Sequence, residues 1–170
     1  RIAWGASMIA CKDADADAMV TGNIRHYAAS IEKLKKVTDP RPGEEIFGMT
    51  MITLKGKTIL VADTNVQDFP SPERLVKVSK SCVRVARLFG FDPKVAFLSH
   101  STFGKPISKN TKHVRDAIQL LKNEKVDFDF DGEMQPDVAL NPIYQEIYPF
   151  SKIVGNANIL IMPALHSAAI

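Results

Sequence analysis

Residues 129–139 read Asp-Phe-Asp-Gly-Glu-Met-Gln-Pro-Asp-Val-Ala, an alternating strand that runs into a glycine turn and then a helix start. Apolar and acidic side chains alternate with the two-residue period of a strand that buries one face. A turn at Gly132 would hold Asp131, Glu133 and Gln135 at the carboxyl end of that strand. Because open α/β sheets bind ligands at this edge, we expect these residues to orient a ligand or hold a metal. A glycine turn with solvated acids explains the pattern equally well.

Strand-like and helix-like segments alternate along most of the chain. Ser71-Pro72-Glu73 predicts a helix start, because it combines a hydroxyl cap, a proline at the first helical position and an acid in the first turn. Lys55-Gly56-Lys57 separates two β-rich runs and predicts a hairpin. Predicted strands cover residues 47–54, 58–62, 95–98, 126–131 and 159–162, and predicted helices cover 71–89, 114–121 and, with breaks, 138–148. This order predicts an α/β fold with a mainly parallel sheet and helices on both faces.

The length of 170 residues fits one domain with room for part of a second lobe. Asp39-Pro40-Arg41-Pro42-Gly43 is the clearest linker, since two prolines and a glycine oppose regular structure. We therefore predict that residues 1–43 belong to a first lobe and residues 44–170 form the second. The chain opens at Arg1 rather than at a methionine, and we expect it to be part of a longer protein.

Charge and cysteine content argue against several classes of partner. The formal net charge is only +3, and the cluster Lys33, Lys35 and Lys36 is better explained by a solvated helix face than by nucleic-acid binding. Cys11 and Cys82 match no metal or redox spacing, which favours buried thiols in a reducing compartment such as the cytoplasm. No apolar run approaches the ~20 residues that a membrane span needs. We expect neither nucleic acid nor membrane as a partner.

The loop Ser99-His100-Ser101-Thr102-Phe103-Gly104-Lys105 lies between a predicted strand and a predicted helix. It offers three hydroxyls, a glycine that permits close backbone approach, and one cation. Such a loop suits phosphate groups, because amides and a helix N-terminus face the anion. The GxxxxGK[ST] spacing of a Walker loop is absent. From spacing alone, a plain strand–helix turn is the more common structure.

Metal and hydrolytic chemistry find little support. The acidic run 13–17 mimics a calcium loop, but Ala18 and Ile24 stand where an EF-hand needs glycine and glutamate. The serines of the 99–105 loop lack the GxSxG elbow of a serine hydrolase. No metal-ligand spacing is present among the histidines, which are His26, His100, His113 and His166. We assign no metal ligand and no catalytic residue.

Five segments resemble the phosphotransacetylase (phosphate acetyl/butyryl transferase) family in the family's order and cover nearly the whole chain. The first two lie in the N-terminal half and the others in the C-terminal half. The matching segments are residues 17–22 (DAMVTG), 62–63 with 70–73 (AD and PSPE), 98–104 (LSHSTFG), 131–139 (DGEMQPDVA) and 155–163 (GNANILIMP). The resemblance implies a three-layer α/β/α fold of the isocitrate/isopropylmalate dehydrogenase type, here as a fragment of a two-lobed domain.

Three further segments, residues 39–43, 148–150 and 163–168, are more similar to the C-terminal domain of long bacterial NADP-dependent malic enzymes. That resemblance implies a regulatory domain that binds acetyl-CoA as an effector and helps to build a homo-oligomer. NADP and a divalent metal would bind in a part of the parent protein outside this chain. By resemblance, the ligand site would comprise Thr21, Gly22, Ser101, Thr102, Gly104, Lys105, Asp131, Glu133 and Gln135.

One departure from the family pattern bears on activity. Phosphotransacetylases carry an arginine shortly after the segment that resembles residues 17–22, and Glu32 falls in that region. A carboxylate there would repel acetyl phosphate. The family's late catalytic residues are expected beyond Ile170. We therefore expect little acetyl transfer, with a catalytic phosphate acetyltransferase and a purely structural oligomerisation module as the alternatives.

Overall fold

The computed structural model describes residues 19–20, 26–36, 38–40, 42–62, 69–106, 111–164 and 167. The chain divides into two compact units, Arg1–Gly43 and Glu44–Ile170. The first unit contains helix α1, Tyr27–Lys35, in which Glu32 accepts a hydrogen bond from Lys36 Nζ at 2.9 Å. The predicted site residues Thr21 and Gly22 lie outside the described residues. The assignment of the two units to lobes of a larger domain stays a prediction.

The second unit is built on one five-stranded sheet. Its strands are β1 (Met49–Leu54), β2 (Lys57–Ala62), β3 (Lys94–Leu98), β4 (Asp129–Met134) and β5 (Ile159–Ile161). Its helices are α2 (Pro72–Leu88), α3 (Lys112–Glu124), the short α4 (Pro136–Leu140) and a 3-10 turn at Pro142–Gln145. The strand order is β1-β2-β5-β3-β4, in which only β1 pairs in the antiparallel sense. The predicted α/β fold with a mainly parallel sheet is confirmed.

Local sequence signals explain how the elements begin and end. Lys55 and Gly56 both have positive φ, of 50° and 77°, which suits the two-residue turn that joins β1 to β2. Ser71 caps α2, since its Oγ accepts from the amide of Arg74 at 3.2 Å. The helix closes where Gly90 adopts a φ of +78°, a conformation that costs glycine little. The predicted hairpin and helix start are confirmed.

Apolar side chains cover both faces of the sheet, as the strand pattern predicted. On one face, Val95 and Phe97 of β3 pack in a core with residues of α2 and α3. On the other face, Ala96 and Leu98 pack with Met134 and with the segment that contains α4. Because alternate residues of a strand point to opposite faces, a continuously apolar strand such as β3 must be covered on both sides.

The predicted turn at Gly132 is wrong, because β4 begins at Asp129 and continues through Gly132 to Met134. Gly132 pairs with Phe97 and Met134 pairs with Leu98, so Glu133 is an extra residue in the ladder. Because of this β-bulge, Met134 lies on the face of the sheet opposite to the one that strict alternation would give it. The bulge requires glycine at position 132, because the φ there is +143° and because the Phe97 main chain leaves no room for a Cβ.

Among the described residues, no helix is both long and apolar enough to cross a membrane.

Candidate functional site

The 99–105 loop and the end of β4 lie together, because β3 and β4 are parallel neighbours whose carboxyl ends share one edge. Three hydrogen bonds donated by main-chain amides join the two segments. The amide of Ser99 donates to the Met134 carbonyl at 2.9 Å, and the amide of Phe103 donates to the Glu133 carbonyl at 2.7 Å. The amide of Gln135 donates to Thr102 Oγ1 at 3.2 Å. The loop and the end of β4 are therefore held together through their main chains.

A tight turn at the tip of the loop determines which groups face outward. Thr102 and Lys105 exchange two main-chain hydrogen bonds, of 2.9 and 3.0 Å. Phe103 and Gly104 occupy the turn with φ values of 47° and 83°. A non-glycine residue at positive φ is uncommon and often marks a functional segment. Lys105 emerges from the turn exposed, next to the half-buried Gly104.

Glu133 turns toward α3 and forms a partly buried ion pair with Arg115. Nη1 of Arg115 lies 2.9 Å from Oε1 and 3.1 Å from Oε2 of Glu133, and it also donates to Thr111 Oγ1 at 2.6 Å. The Glu133 side chain is 0% exposed, whereas that of Arg115 is 37% exposed. The carboxylate predicted to face a ligand is therefore already enclosed by protein groups.

Sequence reasoning did not identify Arg115, although a signal was present. The first turn of α3 carries Lys112, His113 and Arg115 and no acid. Cations are disfavoured there, because the helix macrodipole places partial positive charge at the N-terminus. A nearby carboxylate offsets this unfavourable interaction, and Glu133 lies 2.9 Å from Arg115.

The hydroxyl of Ser101 is also used inside the protein. Its Oγ donates to Glu133 Oε1 at 2.7 Å and lies 3.2 Å from Ser99 Oγ. Ser101 is completely buried. Of the predicted ligand-binding residues, Ser101 and Glu133 thus hold the loop together, while Lys105 and Gln135 remain exposed on its surface.

Asp131 does not join this cluster. It lies two residues before Glu133 in β4 and its carboxylate accepts from the amides of Gly132, at 2.9 Å, and of Lys152, at 2.7 Å. Lys152 belongs to the connection that packs on the other face of the sheet. Asp131 therefore anchors that connection.

Polar groups and rings surround the exposed part of the loop. The side-chain amide of Gln135 donates to the His100 carbonyl at 2.8 Å. Phe103 packs against Tyr148 and Phe150, with ring centroids 5.3 and 4.8 Å apart. The segment 148–150, noted in the sequence for its resemblance, thus contacts the loop directly. No group of His, Cys, Asp or Glu among the described residues could hold a metal ion.

Comparisons with known proteins place the whole chain in one family. The family described as "Phosphate acetyl/butaryl transferase" matches residues 1–170. The NADP-dependent malic enzyme of Rhizobium meliloti is 44% identical over 167 residues, which cover 98% of this chain and 22% of that protein. The NADP-dependent malic enzyme of Salmonella typhimurium is 36% identical over 170 residues, or 99% of this chain and 22% of its own length.

A solved phosphotransacetylase from Streptococcus pyogenes superposes with a TM-score of 0.85 and 27% identity, covering 96% of this chain and 51% of that structure. The EutD phosphotransacetylase from Staphylococcus aureus superposes with a TM-score of 0.78 at 23% identity, covering 98% of this chain and 52% of that structure, a likeness of fold alone. The chain thus spans about a fifth of the malic enzymes and half of these structures. Because the family match extends from Arg1 to Ile170, this chain belongs to the phosphate acetyl/butaryl transferase family.

Proposed function

We propose that this chain is the C-terminal, phosphotransacetylase-like regulatory domain of an NADP-dependent malic enzyme. The parent protein would convert malate to pyruvate and CO2 with reduction of NADP. One observation carries the proposal: identity to a malic enzyme reaches 44% over 167 residues, against 30% over 155 residues for the phosphate acetyltransferase of Nitratidesulfovibrio vulgaris. NADP and a divalent metal would bind elsewhere in the parent, which we expect in the cytoplasm.

The effector in this proposal is acetyl-CoA, held at the 99–105 loop. Lys105 offers an exposed ammonium group, and Gln135, whose side chain donates to the His100 carbonyl, is also exposed. Gly104 lies half-exposed at the tip of the turn, and because it has no side chain a phosphate oxygen can approach its main chain. Cation and backbone together suit the phosphates of coenzyme A. Ser101, Thr102 and Glu133 support this surface, and Asp131 acts through the neighbouring connection.

A catalytic phosphate acetyltransferase is the second candidate, supported by the TM-score of 0.85 to the Streptococcus pyogenes enzyme. Glu32 argues against it. This residue lies on α1, 71% exposed, where Lys36 pairs with it at 2.9 Å. The hydrogen bond and charge of Lys36 lower the pKa of Glu32, whose carboxyl is ionised at neutral pH even at its ordinary pKa of 4.5. An anion in the region of a phosphate-binding arginine would oppose acetyl phosphate.

The deciding experiment uses the full-length protein encoded by the complete reading frame. NADP reduction is followed with malate and a divalent cation while acetyl-CoA is titrated. We expect malate-dependent turnover whose rate changes saturably with acetyl-CoA. In parallel, release of CoA from acetyl-CoA and phosphate is followed with a thiol reagent, and we expect none above background. Robust CoA release without malate-dependent turnover would establish the second candidate instead.

Self-association is part of the same proposal, because a regulatory domain of this kind would act through a homo-oligomer. Light scattering at micromolar concentration should give a particle larger than the 18.8 kDa chain. A monomer for both the chain and the full-length protein would remove oligomerisation from the proposed function. Acetyl-CoA regulation without oligomerisation would leave the effector role in place, so the two parts are tested separately.

A further inference from the structure

A side-chain network, buried except at Arg115, connects helix α3 to the 99–105 loop. Arg115 of α3 pairs with both carboxylate oxygens of Glu133, and Ser101 Oγ donates to one of them at 2.7 Å. At one end, Arg115 also reaches Thr111 Oγ1, just before α3 begins. At the other end, Ser101 meets Ser99 Oγ, just after β3 ends. The network therefore runs from a helix start through a strand to the loop.

Filling space does not account for this network. A buried polar group is costly unless it is hydrogen-bonded, and apolar residues of similar volume often replace a buried ion pair without loss of stability. Here the ladder contains an extra residue, Glu133, whose side chain turns to Arg115 and Ser101. Bulges next to functional sites commonly re-aim one side chain in this way.

We propose that Arg115 and Glu133 are positioning residues that fix the conformation of the 99–105 loop. Glu133 holds the loop twice: its carbonyl accepts from the amide of Phe103, and its carboxylate accepts from Ser101. The first bond fixes the turn and the second fixes the segment that leads to it. A loop held in its binding conformation loses less entropy when a ligand binds. The consequence for acetyl-CoA affinity rests on the proposed function, whereas the ordering of the loop does not.

The test compares four variants of the full-length protein by hydrogen–deuterium exchange of peptides that contain residues 99–105. Arg115→Ala breaks the pair, and Arg115→Lys retains the charge without the planar fork. The double variant Arg115→Met with Glu133→Leu removes both partners and fills their space with apolar groups. The control is Arg87→Ala, which breaks an arginine–carboxylate pair at the surface, where Arg87 Nη1 lies 3.1 Å from Asp127.

We expect exchange in residues 99–105 to be at least tenfold faster in the double variant, while exchange in β3 and β5 stays at the wild-type rate. The double variant is the decisive test of the positioning role, because it retains a filled interior and is expected to fold even if Arg115→Ala does not. Arg115→Lys should lie between the double variant and wild type, and Arg87→Ala should match wild type. Loop exchange at the wild-type rate in a folded double variant would overturn the positioning role.

Calorimetric titration of the same proteins with acetyl-CoA separates the two proposals. We expect wild type and Arg87→Ala to bind equally and the double variant to bind at least tenfold more weakly. If wild type does not bind acetyl-CoA, the effector proposal fails while the exchange data still decide the positioning role. Wild-type affinity in the double variant, together with fast loop exchange, would show that the ligand does not use this loop.

Discussion

Gly132 faces the main chain of Phe97 so closely that an added Cβ would lie 2.6 Å from the Phe97 carbonyl oxygen. The contact is with backbone of the neighbouring strand, which cannot rotate away as a side chain can. The bulge that directs Glu133 to Arg115 therefore depends on the absence of one methyl group.

We predict that Gly132→Ala lowers the free energy of unfolding by about 2–4 kcal/mol, from the clash and from the positive φ of +143°. Urea unfolding checks this value. Gly90→Ala is the matched control, since Gly90 also has positive φ but its Cβ direction is open. The control should cost only about 1 kcal/mol. Equal losses in the two variants would show that the contact with Phe97 is not the cause.

The segment before β1 is tied to α2 by a semi-buried ion pair. Arg74, whose side chain is 9% exposed, pairs with Glu45 and donates to the Ile46 carbonyl at 2.9 Å. We predict that Arg74→Ala destabilises the protein by about 2–3 kcal/mol, because it removes one cationic partner of the partly buried Glu45. Arg87→Ala, at an exposed pair, should change stability by less than about 1 kcal/mol. Thermal unfolding of both variants tests the contrast.

Glu45 should also make stability depend on pH. Burial acts to raise the pKa of Glu45, but hydrogen bonds and charge from Lys77 and Arg74 outweigh burial and lower the pKa below its ordinary 4.5. As pH falls below 4.5, the unfolded chain protonates at Glu45 before the folded protein does, so unfolding takes up a proton. The stabilisation is present above that pH and is lost as pH falls through the folded pKa. Glu45→Gln should flatten this part of the stability–pH profile in urea unfolding, and parallel profiles would contradict the assignment.

Cys82 should resist alkylation in the folded protein. Desolvation by burial raises the pKa of its thiol to about 12, so at pH 8 roughly one molecule in ten thousand carries the reactive thiolate. We predict that peptide mapping after maleimide treatment at pH 8 finds Cys82 unmodified without denaturant and modified in urea. Rapid native labelling would mean that the core around Cys82 opens readily. The result also matters for CoA-release assays, because a reactive Cys82 would consume the thiol reagent.

Lys105→Ala tests the ligand surface of the loop. If Lys105 faces a phosphate of acetyl-CoA, losing this charge-assisted contact costs roughly 1.5–3 kcal/mol, or about ten- to a hundredfold in affinity. Calorimetric titration of the full-length protein measures the change. Lys122→Ala removes one positive charge from the last turn of α3 and should leave affinity within about twofold of wild type. Equal affinities for the two variants would exclude Lys105 from the site.

Periodicity in the sequence predicted most of the fold. The repeat of apolar residues after Ser71 predicted α2, and the apolar run 95–98 predicted a strand covered on both faces. These predictions held because helix and strand periods depend on local geometry. The alternating pattern at 126–131 placed a strand three residues too early, because the bounds of β4 depend on its pairing with β3, which the pattern does not contain.

Within the candidate site, the sequence alone determined which residue types lie at the carboxyl edge of the sheet, since chain order and parallel pairing bring Ser101, Lys105 and Gln135 there. It did not determine which of them face solvent. Tertiary structure decided that, because the bulge at Glu133 exists only when Gly132 lies against Phe97. Arg115 then pairs with Glu133, which lies eighteen residues later in the chain, and Ser101 donates a hydrogen bond to the same carboxylate. A side chain's neighbours across strands depend on register, which single-residue patterns do not encode.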